Sequence, residues 1–92
     1  WCNEPNNKKF YNRLIKINKN IRHEKMYRKD YKYDYVIIIN YNKNNIKLNK
    51  GSAIFIHLTK NYKPTDGCIA LSKKDLLILL KIIKRNTKIK IN

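Results

Sequence analysis

A chain of 92 residues supports one domain at most, and at this size only roughly 60–65 % of the unfolded surface is buried, so the core must be modest. The formal charge of +16 invites an anionic partner, yet 18 of the 22 basic residues are lysine, spread along the chain, and only four are arginine. Lys, Asn, Ile and Tyr make up 54 of the 92 residues and are all encoded by A/T-rich codons, so genome composition accounts for the charge without a specific nucleic-acid partner. A functional basic surface, attracting an anionic polymer or membrane in a salt-sensitive way, is the alternative.

The chain begins at Trp1, which reads as a mature form or a fragment, and no apolar run resembles a signal peptide or a membrane span. Residues 1–13, WCNEPNNKKFYNR, show no periodicity and read as an irregular segment pinned by Trp1, Phe10 and Tyr11. Leu14, Ile15 and Ile17 suggest a short strand, and HEKMYRKD a turn or brief helix. YDYVIIIN (33–40) is β-branched and aromatic and predicts a buried strand, with Tyr33 and Asp34 as its polar start or as a wall of a cleft. A loop, NYNKNN, follows. SAIFIHLT (52–59) predicts a second strand, with Ala53, Phe55 and His57 on one face and Ile54, Ile56 and Leu58 on the other. The loop KNYKPTDG delivers the chain to Cys68, and CIAL reads as a short strand or turn. Ser72 and Asp75 have capping-box spacing at the head of an apolar helix, LLILLKIIK, which should end near Asn86. The tail TKIKIN alternates and can add an edge strand or fray. No internal repeat and no second domain are visible.

The thiol at position 68 raises the question of chemistry against packing. Two cysteines make no disulfide framework, and Cys2, Cys68, His23 and His57 lack the spacing of a zinc site. Two glycines cannot build a phosphate-binding loop. A thiol can serve as a nucleophile if a base or a positive environment produces the thiolate, and histidine is the usual partner. If the loop after His57 reverses direction, imidazole and thiol can meet at the end of two neighbouring strands. Gly67 leaves the backbone amides around Cys68 free to face a developing oxyanion, and Asp66 can shape the loop or orient a neighbour. Against this, a buried cysteine and a hydrogen-bonded core histidine would serve packing alone. Cys2 reads as a small buried or partly exposed residue rather than a redox partner, and His23-Glu24 as a solvated turn rather than a support for the site.

GSAIFIHL (51–58) followed by PTDGCIALSKKDLLILL (64–80) resembles the active-site segment of the L,D-transpeptidase (YkuD-like) catalytic domain, in the sub-group whose motif reads G-C-[IV]-A-L. The resemblance spans most of the chain. It implies a mainly β, α+β fold: a curved mixed sheet or sandwich with one helix after the cysteine. It also implies that residues 1–92 form the C-terminal major part of a single catalytic domain, so that the chain alone is poorly active. Carried over residue by residue, it makes Cys68 the nucleophile and His57 the general base and acid. The backbone of Gly67 would lie at the oxyanion site, with Thr65, Asp66, Ser52 and Tyr33 as substrate-binding or supporting residues. The commoner motif is S-H-G-C-I-R; here Asp66 stands for the histidine and Ala70 for the arginine, which removes a polar group near the thiol. The implied reaction is transpeptidation of peptidoglycan stem peptides through a thioester, without metal or organic cofactor, in the periplasm or cell envelope of a bacterium. A small basic module for RNA or another polyanion, and an inactive remnant of the enzyme, are the rival readings.

Overall fold

The computed structural model describes residues 1–62, 65 and 67–90. Three strands and one helix follow one another: β1 (Val36–Ile38), β2 (Phe55–Leu58), β3 (Ile69–Leu71) and α1 (Lys73–Ile82). This is a small mixed sheet with a helix, an α+β fold with a mainly β framework. β2 is the centre of the sheet, antiparallel to β1 with Val36 opposite His57, and parallel to β3 with Ile56 opposite Ile69.

The parallel pairing changes how the thiol arrives. A hairpin would bring the chain back beside the end of β2. Instead the segment between Leu58 and Ile69 returns to the beginning of β2, so β3 starts level with Ile56 and Cys68 falls beside Phe55. The thiol therefore lies beside the start of the central strand, and the imidazole sits on that strand two residues further on.

Both predicted strands are longer in the sequence than in the fold. The chain turns at 31–34, where Asp34 N donates to Tyr31 O (3.0 Å), and this removes Tyr33–Tyr35 from β1. Ala53 takes a left-handed backbone (φ 57°) and gives its N–H to the Asn12 side chain, which keeps residues 52–54 out of β2. The alternation of β2 holds as expected. Ile56 and Leu58 pack with Leu76 of α1 in the main core, flanked by Ile37, Ile69 and Leu79. Phe55, with no exposed surface, faces the other way and meets Trp1 and Tyr33 edge-on at 5.1 and 5.8 Å between ring centroids. Burying side chains such as Phe55 and Leu76 is worth about 1.5–3 kcal/mol each, and few others are fully enclosed.

The helix begins where the spacing predicts: Ser72 Oγ accepts from Asp75 N at 3.2 Å. It ends four residues before Asn86, at Ile82. Thr87 Oγ1 accepts the Lys84 N–H (2.8 Å) and Thr87 N donates back to Lys84 O (3.0 Å), a local turn that competes with helical bonding. The tail forms no strand over residues 87–90, and residues 91–92 lie outside the described part.

The N-terminal segment is tied rather than loose. Cys2 N donates to Arg13 O (2.8 Å), Asn3 N to Arg22 O (3.1 Å), and Cys2 bridges His23 in antiparallel fashion. Trp1 and Tyr11 are buried as pins and Phe10 is half-buried. No strand forms at 14–17, where Leu14 and Ile17 are 69 % and 70 % exposed.

Candidate active site

Cys68 precedes β3 and is half-buried. Its Sγ donates to Ala53 O at 3.1 Å and accepts from Phe55 N at 3.5 Å. Both contacts tie the thiol to the backbone of residues 53–55. Gly67, with φ +119°, makes the turn into the cysteine in a region that residues with a Cβ rarely adopt. Gly67 is itself exposed.

His57 is buried in the middle of β2. Its Nδ1 lies 2.9 Å from Leu58 O. A carbonyl only accepts, so Nδ1 donates to it and Nε2 is the ring nitrogen left for another partner. That Nε2 is buried and has no hydrogen-bond partner among the described residues. Leaving a buried polar atom unpaired costs on the order of 1–3 kcal/mol.

Thiol and imidazole line one cavity of about 480 Å³. Ser52, Thr65 and Tyr33 line it as well. The Thr65 hydroxyl donates to Cys68 O and so fixes the backbone of the nucleophile candidate. Ser52 Oγ is occupied, donating to Cys2 O at 2.8 Å, which makes it a tie between the N-terminal segment and the cavity wall. Tyr33 precedes β1 and packs edge-on against His57 with ring centroids 5.9 Å apart. Its hydroxyl donates to Glu24 Oε1 at 2.9 Å. Burial, reinforced by Glu24, raises the Tyr33 phenol well above the usual tyrosine range, so it stays a hydrogen donor. Asp66, named from the sequence as a supporting residue, lies outside the described residues.

The cavity also draws on residues that the sequence did not single out for it. Arg22 and Lys32 line it, bringing positive charge where Ala70 leaves none. Glu24 is a cavity wall rather than part of a solvated turn, and its carboxylate is held by Tyr33 and by Arg28 (3.5 Å). Arg28 in turn pairs with Asp30 at 2.6 Å. Cys2, fully buried and free, is a packing residue, as its position suggested. No cluster of metal-ligating side chains occurs among the described residues.

Fold and site together define a small α+β domain in which a half-buried thiol and a buried imidazole line one cavity with Arg22 and Lys32. The chain matches the L,D-transpeptidase catalytic domain (YkuD) over residues 3–91 and belongs to that family. No curated protein and no solved structure matches it.

Proposed function

We propose that Cys68 is the nucleophile and His57 the general base and acid of a transpeptidase acting on peptidoglycan stem peptides. The observation that supports this reading is that His57, whose buried Nε2 has no partner among the described residues, lines the same cavity as Cys68. Substrate entering the cavity would turn the thiol from Ala53 O toward Nε2, which takes the proton. Hydrogen bonds of this kind commonly tighten only in the complex. The thiolate attacks the carbonyl of the diamino acid at position three. A C–S bond forms and the carbonyl electrons move to oxygen, facing the backbone amides near Gly67 and Cys68. Collapse breaks the C–N bond to D-alanine, and the imidazolium protonates the departing amine. An amine of a neighbouring stem then attacks the thioester, passes its proton to His57, and releases the thiol. Thr65 and Leu58 position these groups, while Arg22 and Lys32 attract a substrate carboxylate. Family membership supports the substrate class, and a substrate of this kind implies a location in the cell envelope. Among the described residues no helix is long and apolar enough to cross a membrane.

Alkylation with iodoacetamide, mapped by mass spectrometry, tests the assignment. Cys68 is expected to react, Cys2 to stay protected, and His57→Ala to slow modification of Cys68 on the order of 10²-fold or more. A stem tetrapeptide should protect Cys68, and Arg22→Ala should raise the concentration needed. Reaction at Cys2 alone, or no effect of His57→Ala, would remove the catalytic pair.

A further inference from the structure

From Leu76 to the end of the sequence there are five basic residues and no acidic one: Lys81, Lys84, Arg85, Lys88 and Lys90 follow Asp75, the last carboxylate. The same stretch leaves large aliphatic side chains in solvent. Ile78 is 51 % exposed, Ile82 68 % and Ile89 48 %. Ile78 and Ile82 are four apart on α1, so they share one helix face. The next positions round the helix, Leu79 and Ile83, wall a mostly apolar groove of about 370 Å³ together with Ile37 and Ile56 and with Ile89 of the segment after the helix. Lys84, Arg85 and Lys88 line the same groove. Ile56 faces it while its neighbour His57 faces the candidate active site, so the two openings lie on opposite faces of β2.

We propose that this face docks on an anionic lipid bilayer, lying in the interface with Ile78, Ile82 and Ile89 among the acyl chain ends and the cations at the headgroups. The charge is complementary to anionic lipid, and no acidic side chain interrupts it between Leu76 and Asn92. The aliphatic side chains select a bilayer over a nucleic acid, whose bases are bound by aromatic stacking and arginine contacts. Basic residues around exposed aliphatics are the composition of interfacial helices. A helix of 10 residues cannot span the hydrocarbon, so the chain would lie on the surface. The cavity holding Cys68 would then face away from the membrane and remain open to substrate. This inference is independent of the reaction proposed above.

Co-sedimentation with vesicles provides the test. The protein is expected to bind phosphatidylglycerol–phosphatidylcholine vesicles, to bind pure phosphatidylcholine far more weakly, and to release as salt rises from about 0.1 to 0.5 M. Lys84→Glu/Arg85→Glu/Lys88→Glu should weaken binding on the order of a hundredfold. The control reversal Lys8→Glu/Lys16→Glu/Lys19→Glu, at exposed positions, should cost far less. Ile82→Ser/Ile89→Ser, also at exposed positions, should weaken vesicle binding about tenfold or more and leave binding to heparin unchanged. Equal losses from the two charge reversals, or full vesicle binding by the serine variant, would overturn the proposal. So would preference for a single-stranded oligonucleotide over anionic vesicles.

Discussion

Asn12 controls the thiol from 41 residues away in sequence from Ala53. It is almost fully buried, in the left-handed conformation (φ 57°) that asparagine tolerates better than most residues. Its Oδ1 accepts from the Trp1 indole (2.8 Å) and from Ala53 N (3.2 Å), while its Nδ2 donates to Tyr41 O (3.2 Å) and Asn42 O (2.7 Å). Ala53, held in this way, presents the carbonyl that receives the Cys68 thiol. Asn12→Ala leaves buried donors and acceptors unpaired and should cost about 2–4 kcal/mol in denaturant unfolding. A loss below about 0.5 kcal/mol would show that the hub is dispensable. Nothing in the sequence around NNKKFYNR marks this residue, because every partner of its side chain comes from a remote segment. Arg22 and Lys32 were illegible for the same reason, and Glu24 showed only in the alternative reading of His23-Glu24 as a support for the site. A glycine turn and a strand histidine mark Cys68 and His57 as candidates, with packing as the alternative, and their roles come from the family resemblance.

The elements were readable where local rules decide them and obscure where a remote contact does. Alternation along β2 foretold both faces, since a strand with period two has no freedom to rearrange them. The Ser72 cap was visible because it needs only Asp75 N three residues on. Ser72→Ala should lower stability by about 1 kcal/mol and reduce helical circular dichroism, and unchanged unfolding would make the cap incidental. The direction of β3 was not readable, because neither the apolar run nor the loop length distinguishes a hairpin from a parallel return. The early end of α1 hides in Thr87, whose hydroxyl captures the Lys84 N–H, an arrangement that apolar periodicity does not register.

At the scale of the whole chain, a charge of +16 on a body with a radius of gyration of 13.8 Å sets repulsion against a small core. For this length about 12 Å is the usual value, so the fold is somewhat open. Added salt should therefore stabilise it: the thermal midpoint is expected to rise by several degrees between about 10 and 200 mM sodium chloride. A fall would mean that ion pairs outweigh repulsion. Asp30, drawn down to about 2 chiefly by its bond to Arg28, has a folded-state value below its unfolded one. Its contribution is thus present above about pH 4 and is lost as pH falls toward 2, and the pair is exposed enough for the loss to be small. The reaction itself gives the sharpest test of the central claim, that this cavity transfers acyl groups through Cys68. Release of D-alanine from a purified stem tetrapeptide, in the presence of an acceptor stem, should be measurable for the parent protein and for Cys2→Ala, and absent for Cys68→Ala. Release that survives Cys68→Ala would contradict the account.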